Sequence, residues 1–128
     1  PVLKNTVEYN GHTYLLYTCD SSISWSDAKT ICEVKGGHLA TLTSAEENTA
    51  IKTMVAGNTS IWIGGHRVDD TDNWIWVTGE EFSYTDWLSG EPNNSGDVEN
   101  CIGYYTNSQW NDFPEYASGI CSFILETE

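Results

Sequence analysis

The sequence predicts an α+β fold in which two helices flank small antiparallel sheets and a long loop region. Two segments begin with helix-capping residues and then carry apolar side chains at helical spacing, which predicts the two helices. Short runs rich in aromatic and β-branched residues predict strands. The stretch from Gly65 to Gln109 is otherwise rich in Gly, Asn, Asp and Ser, which predicts irregular structure. The length of 128 residues indicates a single domain, residues 1–128.

The chain begins with a predicted β-hairpin and a first helix. Asn10-Gly11 is a typical type I′ turn sequence between two short strands. Ser24 and Asp27 resemble a capping box, which predicts a helix from Ser24 to about Val34 that Gly36-Gly37 ends. The residues that share one face of this helix are Trp25, Ala28, Ile31 and Cys32.

A second helix begins at Ser44, where Ser44-x-x-Glu47 matches the capping-box pattern. We expect it to run to about Ala56 and to end at Gly57, because glycine commonly follows the last helical turn. The strands predicted after it are Ile61–Ile63, Trp74–Val77, Cys101–Tyr105 and Gly119–Leu125.

The charge of the chain limits its partners. Five Lys and Arg against 19 Asp and Glu give a formal net charge of −14. Nucleic acids and anionic membranes would repel such a chain, so we expect neither as a partner. No apolar run approaches the roughly 18 residues that a membrane helix needs, so we expect no membrane insertion.

The four cysteines indicate an oxidising compartment. None of them belongs to a C-x-x-C pair, so they lack the spacing of a zinc site and predict two disulfides. We therefore expect a secreted or cell-surface protein. Four cysteines allow three pairings, and their spacing leaves all three open.

Residues 91–112 carry a cluster of oxygen-bearing side chains. Glu91, Glu99 and Asp112 supply carboxylates, whereas Asn93 and Asn111 supply amide carbonyls. Calcium takes roughly 6–8 oxygen ligands at about 2.3–2.6 Å, whereas zinc prefers nitrogen and sulfur. These five residues therefore predict a calcium site. Five side-chain donors also leave coordination positions open for a group outside the protein.

Several motifs, in order along the chain, carry a resemblance to a known family. Three of them surround the predicted calcium site: Glu91-Pro92-Asn93, Glu99-Asn100-Cys101 and Trp110-Asn111-Asp112. The others are Ser24–Leu42, Ser44-Ala45-Glu46-Glu47, Trp62-Ile63-Gly64-Gly65 and Trp74–Gly79. Together they resemble the long-form C-type lectin carbohydrate-recognition domain, and the resemblance extends from about Tyr14 to the end of the chain.

The resemblance implies a calcium-dependent carbohydrate-binding lectin rather than an enzyme. In this family Glu-Pro-Asn goes with mannose-type sugars, namely mannose, N-acetylglucosamine, fucose and glucose, so we expect that preference here. Vicinal sugar hydroxyls would coordinate the calcium ion. A cis peptide bond before Pro92 is also implied. The residues that would contact both the ion and the sugar are Glu91, Asn93, Glu99 and Asn111.

The resemblance also implies a disulfide between Cys32 and Cys121. The family's second bridge joins the position of Cys101 to a cysteine shortly after Trp110-Asn111-Asp112, and this chain has none there. Cys19 is left over at the end of the predicted strand Thr13–Tyr17. We expect it to pair with Cys101, and the alternative is two free thiols.

An auxiliary calcium site is common in the family. Arg67 and Thr71 stand at its positions in this chain and cannot serve as ligands. Asp69, Asp70 and Asp72 lie nearby but out of register. We therefore favour a single calcium site.

Two rival functions use the same residues differently. A C-type lectin-like domain can instead bind a protein surface, or ice, with calcium serving only to shape the loop. Glu91 and Glu99 could form the acid–base pair of a glycosidase, but a shared calcium ion would keep both ionised, whereas that chemistry needs one protonated carboxyl. A contact through two hydroxyls is small, so we expect weak binding of a single sugar and avidity from several copies, as in a homo-oligomer.

Overall fold

The computed structural model describes residues 1–55, 59–68 and 71–128, and within them the chain forms two α-helices, two short 3-10 helices and eight strands. The α-helices are α1 (Trp25–Val34) and α2 (Ala45–Lys52). The strands are β1 (Val2–Tyr9), β2 (His12–Thr18), β3 (His38–Leu39), β4 (Ile61–Arg67), β5 (Trp74–Trp76), β6 (Glu99–Tyr104), β7 (Trp110–Pro114) and β8 (Ser122–Thr127). Neither α-helix has the length and apolar character needed to cross a membrane, and no other described segment forms such a helix.

The strands form one mixed sheet in the order β1-β2-β8-β4-β6-β7, with β3 attached to β8 and β5 attached to β4. β8 pairs antiparallel with β2 and parallel with β4. The predicted α+β class is therefore confirmed. The strands are joined in a single sheet, rather than in separate small antiparallel ones, because β8 bonds to a neighbour on each side.

Local sequence signals set the hairpin and the helix starts. The Asn10-Gly11 turn has positive φ at both residues, 52° and 85°, as a type I′ turn requires. The Oγ atom of Ser24 accepts a hydrogen bond from the N–H of Asp27 at 3.1 Å. The Oγ atom of Ser44 accepts one from the N–H of Glu47 at 3.1 Å. These predicted caps are confirmed.

Helix α2 is shorter than predicted, since its last residue is Lys52 rather than about Ala56. The N–H groups of Met54 and Val55 each bond to the carbonyl three residues before them, which is a tighter turn than an α-helix makes. These turns direct both side chains into the core, where they are 6% and 9% exposed. Ala56 and Gly57, the expected end of the helix, lie outside the described residues.

Strand β7 contains the Trp110-Asn111-Asp112 motif, and the sequence does not predict it as a strand. It pairs antiparallel with β6, and Asp112 lies opposite Ile102. Asn111 and Asp112 stand between its apolar residues Trp110 and Phe113, so the sequence shows no apolar–polar alternation there. The pairing places this motif beside Ile102–Tyr104, the second half of β6, whereas Glu99 at the start of β6 lies opposite Pro114.

Two apolar clusters pack on opposite faces of the sheet. Along β8, Phe123 and Leu125 belong to the cluster beneath α1, whereas Ile124 between them belongs to the other cluster. The second cluster also contains Trp76 and Trp110, whose rings meet edge to face with centroids 5.5 Å apart. This cluster supports the segment that connects β5 to β6.

Candidate functional site

The segment that leads to Glu91 is fixed to β7 on both sides of Trp87. The N–H of Leu88 donates to the carbonyl of Trp110 at 2.8 Å, and the N–H of Trp110 donates to the carbonyl of Asp86 at 2.9 Å. The rings of Trp87 and Trp110 also pack edge to face, with centroids 5.9 Å apart. The segment that enters the site at Glu91 is therefore hydrogen-bonded to β7, the strand that carries the Trp110-Asn111-Asp112 motif.

Asp112 lies at the centre of the candidate site. Its side chain is fully buried, at 0% exposure. Its Oδ1 accepts a hydrogen bond from the N–H of Asn93 at 3.2 Å, and its Oδ2 accepts one from the N–H of Asn94 at 2.8 Å. The Oε1 atom of Glu91 also accepts from the N–H of Asn93, at 3.1 Å. The Glu91–Pro92 peptide bond is cis, which is the isomer that the resemblance implies.

Glu99 reaches the same place from the start of β6. Its Oε1 accepts a hydrogen bond from the N–H of Ser95 at 2.8 Å, and its own N–H donates to Oδ1 of Asn94 at 3.2 Å. The turn over residues 94–97 has positive φ at three positions, which are occupied by Asn, Gly and Asp. This turn folds the chain back and brings Glu99 within electrostatic reach of Asp112.

Asn111 directly precedes Asp112 on β7. Within the part of the chain that the structure describes, its Oδ1 is buried and has no hydrogen-bond partner. A buried polar atom without a partner costs roughly 1–3 kcal/mol. The indole N–H groups of Trp76 and Trp110 are also buried without a partner, but they are donors. The Asn111 oxygen is instead an acceptor, in the residue that precedes Asp112.

The carboxylates of this site repel one another. Burial raises the pKa of Glu91 above its usual value, and the neighbouring Asp112 raises it further. Burial also raises the pKa of Glu99, and the charge of Asp112 adds to that effect against the opposing N–H of Ser95. A cation placed among these groups would relieve the repulsion.

The donor chemistry of this site fits calcium. The five predicted residues supply only carboxylate and amide oxygens, which are the ligands that a hard cation prefers. Among the described residues, no three His, Cys, Asp or Glu side chains are arranged as a metal-binding group. The carboxylates instead accept hydrogen bonds from the N–H groups of residues 93–95. The unpartnered Oδ1 of Asn111 is the atom that a bound cation would satisfy.

Arg67 belongs to this site, although the sequence predicts no role for it. Its guanidinium donates to the carbonyl of Glu99, to Oδ1 of Asn100 at 3.3 Å and to Oδ2 of Asp112 at 3.4 Å. The signal in the sequence is an arginine at the end of a strand whose other residues are mostly apolar. A buried guanidinium needs acceptors from elsewhere in the chain.

The positions of an auxiliary calcium site carry other contacts. The Oγ1 atom of Thr71 donates to the carbonyl of Val68 at 2.6 Å. Asp72 lines an open cavity of about 300 Å³ together with Arg67. Asp69 and Asp70 lie outside the described residues. Arg67 therefore brings a positive charge to this side of the loop.

All four cysteines are free thiols in the structure, so neither expected bridge is present. The N–H of Cys19 donates to the carbonyl of Cys121 at 2.8 Å, which places the ends of β2 and β8 side by side. Cys32 and Cys101 are buried in one apolar cluster, and Cys19 packs against it. Burial raises the pKa of Cys32 and of Cys101 to about 12. The pairings Cys32–Cys121 and Cys19–Cys101 stay predictions.

Comparison with known sequences gives matches over most of the chain. The family described as "Lectin C-type domain" matches residues 21–122. Ladderlectin of Oncorhynchus mykiss is 36% identical over 118 residues, which cover 85% of this chain and 62% of that protein. Hepatic lectin of Gallus gallus is 33% identical over 120 residues, which cover 92% of this chain and 56% of that protein. The chain thus spans less than two thirds of the length of these relatives.

Solved structures are similar over nearly the whole chain. The carbohydrate-recognition domain of the mouse scavenger receptor C-type lectin has a TM-score of 0.82 and 34% identity, and the match covers 100% of this chain and 94% of that one. A calcium-independent type II antifreeze protein has a TM-score of 0.74 and 30% identity, with 97% and 96% of the two chains covered.

Proposed function

Since this chain belongs to the family of C-type lectin domains, we propose that it is a calcium-dependent carbohydrate-binding module with a preference for mannose-type sugars. The observation that supports this most is the buried Oδ1 of Asn111, which has no partner among the described residues and belongs to the residue directly before Asp112. The proposed activity is binding rather than catalysis.

Five residues would hold the ion. Each of them carries a side-chain oxygen donor, and they lie in the segment between β5 and β6, on β6 and on β7. They are Glu91, Asn93, Glu99, Asn111 and Asp112. Calcium, when bound, would supply open coordination positions that two vicinal hydroxyl oxygens of a sugar can fill.

The same side chains would also form hydrogen bonds with the hydroxyl groups of the sugar. Each hydroxyl offers one proton and two lone pairs. The carboxylates of Glu91 and Glu99 would accept the protons, whereas the amide NH2 groups of Asn93 and Asn111 would donate to lone pairs. A sugar with the wrong hydroxyl directions would leave some of these groups unpaired, and each unpaired group lowers affinity. The order Glu91-Pro92-Asn93 supports the mannose-type preference.

Calorimetry and competition test this proposal together. We expect calcium to bind with a stoichiometry of one and the protein to bind an immobilised mannose-bearing glycoconjugate only when calcium is present. Free mannose or fucose should displace it, galactose should do so much less, and a chelator should abolish binding. No heat with calcium, or binding that ignores both the chelator and mannose, would reject the function.

Ice binding is a second candidate, because a calcium-independent type II antifreeze protein matches this chain at 30% identity over 97% of its length. In that case the loop would present a surface to ice, and calcium would have at most a structural part. Thermal hysteresis of a protein solution, measured with and without a chelator, separates the candidates. Clear thermal hysteresis, together with no effect of mannose on the binding of any target, would favour ice binding. Binding of a protein target that mannose does not displace would favour recognition of a protein surface.

The proposed ligand and the predicted oxidising compartment agree with a secreted or cell-surface location, where glycans are displayed. A net charge of −14 disfavours nucleic acid as a partner. A site that contacts two hydroxyls binds a single sugar weakly, so useful avidity would come from several copies of the domain in a homo-oligomer.

A further inference from the structure

Arg67 is the last residue of β4, and its side chain is only 4% exposed. A buried guanidinium is costly unless its N–H groups find acceptors, so the chain must place acceptors around it. Its ion-pair partner, Asp112, is 0% exposed. The pair is therefore shielded from water and from salt far more than a surface ion pair.

The guanidinium joins three strands at one end of the sheet. Its Nη2 donates to the carbonyl of Glu99 and to Oδ2 of Asp112 at 3.4 Å, whereas its Nε donates to Oδ1 of Asn100 at 3.3 Å. Glu99 and Asn100 begin β6, and Asp112 lies on β7. One side chain of β4 thus contacts both strands that carry the proposed ligands.

An aromatic ring fixes the orientation of this guanidinium. The Cζ atom of Arg67 lies 4.5 Å from the ring centroid of Trp74, within the range of a cation–π contact. Trp74 packs in turn against Trp87, with ring centroids 5.2 Å apart. Since Trp87 anchors the segment before Glu91, the contacts of Arg67 extend through Trp74 to the segment that leads into Glu91.

The two oxygens of Asp112 are held unequally. Oδ2 accepts the N–H of Asn94 at 2.8 Å and faces Arg67, whereas Oδ1 accepts the N–H of Asn93 at 3.2 Å. The positive charge therefore holds the carboxylate through one oxygen. The other oxygen is the less tightly bonded one.

We infer that Arg67 is a positioning residue for the proposed calcium site, whose buried guanidinium holds Asp112 and the start of β6 in place before any ion binds. The inference rests on the proposed function, because it concerns the same ligands. It adds that the loop is shaped by a charge of the protein itself. Partners of this kind around metal ligands typically change metal affinity by about 10–100-fold when they are removed.

The test uses Arg67→Met, Arg67→Lys and a control, Lys29→Met. Lys29 forms an exposed ion pair with Glu33 on α1, so its variant removes the same charge away from the site. The first measurement is hydrogen exchange of the Asn94 amide in a chelator, because it donates to Oδ2 of Asp112, the oxygen that faces Arg67, whereas the Asn93 amide also has Glu91 as an acceptor. We expect protection in the wild type and the control, and its loss in Arg67→Met.

The second measurement is calcium affinity by calorimetry. We expect Arg67→Met to bind calcium at least about tenfold more weakly. Arg67→Lys should fall between it and the wild type, because an ammonium keeps the charge but not the planar fork. Sugar affinity at saturating calcium should be unchanged, since Arg67 would act through the ligands. A general loss of folding would instead lower both affinities.

Unchanged amide protection and calcium affinity in Arg67→Met would overturn the inference, as would tighter calcium binding from relief of charge repulsion. If Arg67→Met does not fold, the measurements on Arg67→Lys decide. Wild-type amide protection and wild-type calcium affinity in Arg67→Lys would count against a role for the guanidinium. Failure of the wild type to bind calcium would reject the proposed function itself. The exchange measurement in a chelator distinguishes that case, because it needs no ion.

Discussion

The guanidinium of Arg67 and the carboxylate of Asp112 lie 3.4 Å apart, and their side chains are 4% and 0% exposed. This buried pair sits under a loop whose other charged groups are carboxylates, two of which have raised pKa values. The site thus carries one fixed positive charge against several negative ones. The remaining negative charge would favour a bound cation over a closed ion pair.

Breaking the buried pair should be costly in the absence of calcium. Asp112→Ala leaves Arg67 unpaired and should lower the free energy of unfolding by about 3–5 kcal/mol, measured by denaturant titration in a chelator. Adding Arg67→Met should recover part of that loss, since the double variant buries no unpaired charge. The exposed pair Lys29 and Glu33 is the control, and its cycle should give no more than about 0.5 kcal/mol. Additive losses for Arg67 and Asp112 would show that the pair does not interact.

Asn111→Ala should separate stability from calcium binding. The buried Oδ1 of Asn111 makes no hydrogen bond within the described chain, so its removal breaks none. We expect the calcium-free variant to unfold within about 1 kcal/mol of the wild type and yet to lose calcium and sugar binding together. Asn5→Ala, on exposed β1, serves as the control and should bind normally. Calcium binding that survives in Asn111→Ala would remove this oxygen from the ligand set.

The sugar preference should follow the order of residues around Pro92. Glu91→Gln combined with Asn93→Asp keeps an oxygen donor at each position but exchanges the places of carboxylate and amide. We expect calcium binding to persist and galactose to replace mannose as the better competitor in a glycoconjugate binding assay. The pair Glu33→Gln and Asn5→Asp makes the same chemical changes elsewhere and should leave the preference alone. A double variant that still prefers mannose would place the selectivity outside these two residues.

Calcium affinity should fall on acidification earlier than ordinary carboxylates would allow. Burial and then Asp112 raise the pKa of Glu91, and burial raises the pKa of Glu99, so both take up protons above their usual value of 4.5. Calcium must displace these protons, so its affinity is full above the raised pKa values and is lost as the pH falls through them. The same shifts favour folding of the calcium-free protein at acidic pH, a contribution that is lost as the pH rises through them.

Calorimetric titration of calcium from about pH 7 down to about pH 4 measures this effect. Sugar release over the same range should follow the loss of calcium. Glu33→Gln, on the surface of α1, should leave the profile unmoved. An affinity that stays flat over the whole range would contradict the coupling between protons and the ion.

The thiols should differ in reactivity when the protein is reduced but folded. Cys32 and Cys101 are buried and their pKa values are raised to about 12, so little thiolate is present at neutral pH. Cys19 and Cys121 are only partly buried. We expect a maleimide or iodoacetamide to label Cys19 and Cys121 first, as read by mass spectrometry of peptides. Faster labelling of the buried pair would mean that the apolar cluster around Cys32 and Cys101 opens readily.

Peptide mapping of the oxidised protein tests the two predicted bridges, Cys32–Cys121 and Cys19–Cys101. Cys19 lies opposite Cys121 at the ends of β2 and β8, so a Cys19–Cys121 bridge is the competing result. That result would leave Cys32 and Cys101 to pair with each other inside the apolar cluster.

The sequence by itself determined the features whose partners lie close along the chain. The helix caps at Ser24 and Ser44 each bond to an N–H three residues away, and the Asn10-Gly11 turn needs only its own φ values. The five oxygen-bearing ligands in residues 91–112 were likewise predicted from residue type alone, and as a ligand set they stay a prediction. The end of α2 was predicted wrongly, because the helix ends at Lys52 and tighter turns follow it, which place Met54 and Val55 in the core.

Only the tertiary structure decided what lies beneath the loop. Arg67 bonds to Asn100 and Asp112, which are 33 and 45 residues away in the chain, and β7 exists as a strand because β6 pairs with it. No local pattern marks such contacts. A buried charge, or a polar strand, is stable only where distant segments supply its acceptors and donors, and the folded chain alone establishes which segments those are.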